Sequence, residues 1–269
     1  MERYGFGDRA VVLLHGFGTS SFVWRNVAPL PPLGRVTAYA VDLFGWGESD
    51  RAPEADYSVP GQVTYLERAL TVLRIARADL VGVDFGAVVA LTLAARRATR
   101  VRSLVLLNPP DPDALRGDDV AELKRLQARH LLDASRGLLG ARELLGPILR
   151  RSVGHAERMP RTLILRYLAP FVGREGVGHL MHLERAVNDH VLDGVEWAQV
   201  AVPALVIRGD ADRWVKPDVA AALASRLAQA EFVQIPEVGR LIPEEDPNLL
   251  AELVGAWIQR HPGPEQPAS

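Results

Sequence analysis

Six short apolar runs, Ala10–Leu14, Val36–Val41, Ala78–Val83, Ser103–Leu107, Ala204–Arg208 and Glu231–Ile235, alternate with longer amphipathic stretches. That alternation restricts the chain to βα units built around a mostly parallel sheet flanked by helices, the α/β class. Several runs are nearly continuous in Val, Leu and Ile, which suits strands covered on both faces. Helical patterns over Gln62–Ile75, Ala87–Arg97, Pro217–Ala228 and Asn248–Gln259 fill the intervals, with Pro60 and Pro247 where proline suits a helix start. One interval breaks the alternation. From Pro109 to about Glu196 there is no strand-like run, but there are Leu- and Arg-rich helical patterns such as Asp119–Leu132 and Ser135–Leu145. So much chain is not a structureless loop, so a helical insertion lying over the C-terminal edge of the sheet is expected. The division is then residues 1–109 and 197–262 as core, 110–196 as a helical cap, and 263–269 as a Pro-containing disordered tail.

Composition narrows the partners. The 31 basic and 33 acidic residues leave a net charge of −2, which argues against a nucleic-acid binder that works through bulk positive charge. There is no cysteine, so disulfides, thiolate nucleophiles and zinc–thiolate sites are excluded. No apolar run approaches the ~20 residues that span a bilayer and the N-terminus has no signal-type stretch, so no membrane partner and a cytoplasmic address are expected. No phosphate-binding glycine loop or metal-ligand spacing stands out. We expect no cofactor and no metal, and a small molecule as the partner; the oligomeric state is not legible.

Three loops carry chemistry. Gly82-Val-Asp84-Phe-Gly86 separates a strand from a helix, the spacing of a nucleophile elbow, in which glycines let backbones approach too closely for side chains. The helix N-terminus favours an anion at Asp84; the alternative is that Asp84 merely caps the helix. His15-Gly16-Phe17-Gly18 ends the first strand, so the backbone N–H groups of Phe17 and Phe85 could form an oxyanion hole. His15 is either a structural hydrogen-bonder of that turn or, with Gly16, Trp214 and Leu241, a substrate contact. Asp42-Leu-Phe-Gly-Trp-Gly-Glu-Ser49 closes the next strand as a glycine-rich loop.

Together these loops resemble the α/β-hydrolase superfamily in order and spacing over nearly the whole chain. The resemblance implies that fold, with its cap inserted after the sixth family strand. In Leu205-Val-Ile-Arg-Gly209-Asp-Ala-Asp212-Arg-Trp-Val-Lys-Pro217 it implies that Asp212 takes the place of the family's acid, with Asp210 the near alternative and an Asx-turn loop the plain reading. An aspartate at the elbow is similar to haloalkane and fluoroacetate dehalogenases and epoxide hydrolases, where carboxylate attacks carbon and a histidine-activated water releases the ester.

The last family motif departs from the pattern. In Gly239-Arg240-Leu-Ile-Pro-Glu-Glu245-Asp-Pro247, arginine occupies the histidine position, and a guanidinium does not deprotonate at usable pH. The resemblance implies that Asp84, Asp212 and Arg240 converge. A guanidinium between two carboxylates can pair with both, and the expectation is an Asp84–Arg240 ion pair that quiets the nucleophile. The alternative is an exposed Arg240 in a surface loop. Accessory donors of the named subfamilies are missing: Phe85 and Phe17 stand where dehalogenases keep donors, and only Tyr167 lies in the insertion where epoxide hydrolases place two tyrosines. Of the other histidines, His130, His155, His179, His182 and His190 fall in the insertion and His261 by the tail. The reading is an enzyme of hydrolase ancestry acting on a small, mostly apolar molecule, with triad turnover impaired or altered. Its alternatives are a ligand-binding protein that kept the pocket, or a lyase, cyclase or isomerase on the same fold.

Overall fold

The computed structural model describes residues 1–110, 141–186, 192 and 195–262. Seven strands form one sheet in the order β1-β3-β2-β4-β5-β6-β7: β1 Glu2–Tyr4, β2 Arg9–Leu14, β3 Val36–Val41, β4 Ala78–Val83, β5 Val101–Leu107, β6 Ala204–Gly209 and β7 Ala230–Ile235. All neighbours are parallel except β1, which runs antiparallel along β3. Sequence reading missed β1, because Glu-Arg-Tyr at an exposed edge carries no apolar run. Among the described residues the helices are α1 Val59–Val72, α2 Phe85–Arg96, α3 Ala141–Arg151, α4 Arg161–Leu168, α5 Gly173–Ala186, α6 Pro217–Arg226, α7 Ile242–Glu245 and α8 Pro247–Arg260.

The core is the sheet plus α2. Every residue of β4 is buried, and α2 is buried from Phe85 to Ala95, as an all-round apolar helix must be. Truncating Leu80 or Leu91, both essentially inaccessible, removes packing worth about 2–5 kcal/mol. The buried carboxylate of Asp79, on β4, is matched by Arg9 in a two-pronged pair at 2.6 and 2.8 Å, with Arg102 at 3.2 Å and Ser103 Oγ at 2.7 Å. Arg9 also donates to the carbonyls of Ile258 and His261, tying the end of α8 to β2.

Helix boundaries shift where caps decide them. The helix expected over Gln62–Ile75 begins at Val59, because Ser58 caps it by accepting the Gly61 N–H. It ends before Arg74, whose φ of 58° leaves the helical region. Asp246 caps α8 through the Leu249 N–H at 3.0 Å, with Pro247 first in the helix. The described part of the insertion, α3 to α5, contains no strand. It follows β5, the fifth strand of this sheet. The patterns at Asp119–Leu132 and most of Ser135–Leu145, and the tail 263–269, lie outside the described residues. Among the described residues no helix is long and apolar enough to cross a membrane.

Register places the chemistry. Leu14 pairs with Gly82, Val83 with Leu107 and Leu107 with Ile207, so β2, β4, β5 and β6 end level with one another. The residues that follow them, His15–Phe17, Asp84, Asn108 and Asp210–Asp212, therefore emerge at one edge. The strand order reverses between β2 and β4, and ligands in open α/β sheets bind at such a point.

Candidate active site

At the elbow between β4 and α2, Asp84 has φ 53° and ψ −117°, a conformation costing a non-glycine residue roughly 1–3 kcal/mol. The glycines around it have no room for a side chain: a Cβ on Gly82 would lie 2.4 Å from the Gly86 carbonyl oxygen, and one on Gly86 2.4 Å from that of Leu14. The capping alternative is corrected here, since the Asp84 side chain makes no cap hydrogen bond. The buried carboxylate turns instead toward β2 and the loop after β7. Its Oδ2 accepts the Phe17 N–H at 2.8 Å, and its Oδ1 pairs with Arg240 Nη2. Of the two expected oxyanion donors, Phe17 thus bonds the Asp84 side chain itself, while Phe85 N–H makes no hydrogen bond among the described residues. Gly16 packs on Asp84, where an added Cβ would stand 2.9 Å from the Asp84 Cβ.

His15 is corrected as a substrate contact. It is fully buried, its Nδ1 meets the Gly16 carbonyl at 2.8 Å, and its Nε2 accepts the Leu43 N–H at 3.1 Å. Both ring nitrogens are used, so His15 joins the loops after β2 and β3. Burial pulls its imidazole below the ordinary value despite the nearby carbonyl and carboxylates, in keeping with a neutral ring that accepts at Nε2.

The acid loop is built by β6. Arg208 is buried and donates from Nε and Nη2 to the carbonyl of Val215 and from Nη2 to that of Asp212. This clamp folds the loop so that Asp212 Oδ1 accepts the Trp214 N–H at 2.8 Å and, more weakly, that of Val215. Asp212 Oδ2 is buried with no hydrogen-bond partner. Burial pushes the Asp212 carboxyl up; Arg240's charge and the two N–H groups oppose this, and Asp84's charge adds to it. Asp210, the alternative acid, is exposed and accepts the Glu237 N–H at 2.6 Å, so it braces a turn instead.

Arg240 is buried with its guanidinium carbon 5.2 Å from the centre of the Trp214 ring, a cation–π arrangement. The exposed-arginine alternative therefore fails. The expected ion pair with Asp84 is present, and among the described residues none joins Arg240 to Asp212. Its backbone is held by Asn108, whose Nδ2 donates to the carbonyls of Gly239 (3.0 Å) and Arg240 (2.9 Å) while Oδ1 accepts the Gly209 N–H. Glu245 adds a second clamp, accepting the N–H groups of Gly154, His155 and Gly239 at 2.7, 3.1 and 2.6 Å. Leu241 is buried and donates its N–H to the Ser152 carbonyl, and Trp214 is partly exposed with its indole nitrogen lacking a hydrogen-bond partner.

Asn108, Glu245 and Arg208 had no assigned role at the level of sequence. Glu245 stood within the quoted motif, and Asn108 follows a strand at the active edge; only the contacts reveal what they hold. None of the other histidines takes the missing place among the described residues. His179 Nε2 meets the Gly45 carbonyl at 2.7 Å, and both His179 and His182 pack edge-on against Tyr57. His155 lies beside Glu157 and His261 beneath Trp257; His130 and His190 fall outside the described residues. The Tyr167 hydroxyl donates to Glu244, which also receives Arg25 at 2.6 and 2.9 Å, so it is spent on packing. The described residues contain no group of three or more side chains suited to a metal ion.

A sheet of this topology with a strained elbow, an acid loop after β6 and a turn after β7 defines a class of α/β enzyme. The family model described as alpha/beta hydrolase fold matches residues 9–247, and the chain belongs to that family. A haloalkane dehalogenase from Mesorhizobium japonicum is 28% identical, over 94% of this chain and 85% of its own length. A 2-hydroxymuconate semialdehyde hydrolase from a Pseudomonas species is also 28% identical, over 92% of this chain and 86% of its own. Among solved structures, Cfl2 from Burkholderia cenocepacia superposes with a TM-score of 0.78 at 28% identity, covering 94% of this chain and 89% of that one. The curated relatives named here are hydrolases.

Proposed function

We propose that this chain is an aspartate-nucleophile α/β-hydrolase acting on a small, mostly apolar molecule beneath the inserted helices, and that the covalent ester on Asp84 outlives the chemistry that forms it. The observation that carries this is the Asp84–Arg240 ion pair on an otherwise intact elbow. The first step needs an ionised, oriented carboxylate. Asp84 Oδ1 bonds to an sp³ carbon, the carbon–leaving-group bond breaks, and the electron pair departs with the leaving group; no proton moves. The Phe17 N–H holds Oδ2 and so orients the carboxylate.

Ester hydrolysis is different. Water must lose a proton as it attacks, and a positioned base is worth about 10²–10⁴ in rate. Arg240 offers no such base. Intact-mass measurement after incubation with 1-bromobutane tests this. We expect one persistent adduct on the peptide containing Asp84; rapid multiple turnover would defeat it.

A second reading, a ligand-binding protein without turnover, is favoured by one feature: both oxygens of Asp84 are already engaged. It predicts neither adduct nor product, together with thermal stabilisation by an apolar ligand.

A further inference from the structure

Arg240 has one bound anion and a second within its field. Asp212 is fixed by backbone at Oδ1, while its Oδ2 is buried and lacks any hydrogen-bond partner. An orphaned carboxylate oxygen is costly to maintain. Trp214, whose N–H holds Asp212, already carries the Arg240 guanidinium against its ring. The arginine backbone is pinned by Asn108, but its long side chain is held at its tip by Asp84.

We infer that Asp212 is the reserve counter-ion of Arg240: when Asp84 loses its charge, the guanidinium transfers from Asp84 Oδ1 to Asp212 Oδ2. This rests on the proposed nucleophilic role for its catalytic meaning, but the transfer itself follows from charge. As the Oδ1–carbon bond forms and the leaving group departs with its electron pair, Asp84 passes from −1 to neutral. A buried guanidinium stripped of its partner is strongly destabilised. A tethered carboxylate satisfies it without the immobilisation cost of capturing a free anion. Asp212 is thus a positioning residue: by accepting Arg240 as the Oδ1–carbon bond forms, it keeps the buried cation paired while Asp84 is esterified. Arg240's charge opposes the burial-driven rise of the Asp212 carboxyl, in keeping with that role.

A double-mutant cycle tests the transfer in the full chain. Asp84→Asn and Asp212→Asn should each lower the melting temperature modestly, because either carboxylate alone still partners Arg240. Together they should lower it by about 10 °C beyond the sum of the two. In an Arg240→Gln background that excess should vanish and the two changes simply add; a purely architectural role for Asp212 would give no excess in either background. A crystal structure of Asp84→Asn should show Arg240 paired with Asp212 Oδ2. Additivity in the native background, loss of folding in Asp84→Asn alone, or a guanidinium that stays away from Asp212 in that crystal would overturn the inference. These readouts involve no alkylating agent, so a wild-type chain that forms no adduct would remove the nucleophile reading and leave the transfer standing or falling on the cycle.

Discussion

Residue 240 is a permanent cation paired with the buried Asp84 carboxylate, and under the proposed function its consequence is that ester formation and ester release come apart. The guanidinium compensates the carboxylate of Asp84 in a buried site, and it cannot take the proton of an attacking water. Arg240→His restores an ionisable ring. We expect it to raise the ester-release step by about 10²–10⁴-fold, read as sustained halide release from 1-bromobutane in place of a single adduct. Failure of that variant to turn over, with its adduct still forming, would show that Asp212 does not orient an imidazole placed there. At this scale the identity of the participants was legible from motif spacing: Gly82-Val-Asp84-Phe-Gly86 named the carboxylate and Gly239-Arg240 its partner. Which oxygen meets which nitrogen was not, since two carboxylates of equal formal charge compete for one guanidinium and only their distances choose between them.

The short helix Ile242–Glu245 and the turn before it show how an element positions a charge. Glu245 gathers three backbone N–H groups, two from the segment after α3 and one from Gly239, immediately before Arg240. Glu245→Ala strands those donors, and we expect a loss of about 3 kcal/mol in urea unfolding together with a weakened Asp84–Arg240 pair. Glu245→Gln keeps the shape and one acceptor oxygen, so its loss should be smaller. An equal loss in both variants would mean that the hydrogen bonds contribute little. Most elements were readable because a buried parallel strand must be continuously apolar and a surface helix must be amphipathic. Strand β1 escaped because three exposed residues need satisfy neither demand, and α1 started early because Ser58, rather than the apolar period, sets its first turn.

Across the whole molecule, stability is coupled to pH through groups buried in a fixed charge state. The His15 imidazole lies below its ordinary 6.5, so the native protein refuses a proton that the unfolded chain accepts. Stability should therefore fall as pH drops below 6.5 toward the lowered native value, and recover above it. Asp212 acts in the opposite sense. Its carboxyl is raised, so the native state holds a proton more readily than the unfolded one between that raised value and 3.8, and acid restores part of the loss. Melting curves from pH 8 to 4 check both signs, with His15→Gln flattening the upper limb; a limb unchanged in that variant would assign the acid loss elsewhere. The insertion is fastened to the sheet domain through Glu244, which binds Arg25 and the Tyr167 hydroxyl of α4. Because Arg25 is partly exposed, Glu244→Gln should cost only about 2 kcal/mol. It should also make α3–α5 the first site of limited proteolysis, whereas an unchanged cleavage pattern would place the fastening in apolar packing.

What the chain declares by itself is the order of its βα units, the positions of the three active loops and the residue types they present. Each of these follows from local causes: the period of apolar side chains, proline and capping chemistry, and glycines where backbones must nearly touch. What only tertiary structure decided is direction. His15 turned inward to join two loops, Asp210 outward to a turn, Tyr167 toward Glu244, and Arg240 to Asp84 while Asp212 Oδ2 was left without a partner. Those choices depend on burial and on distances between segments far apart in sequence, where electrostatic and desolvation energies change steeply over an ångström or two, and no periodicity along the chain records them.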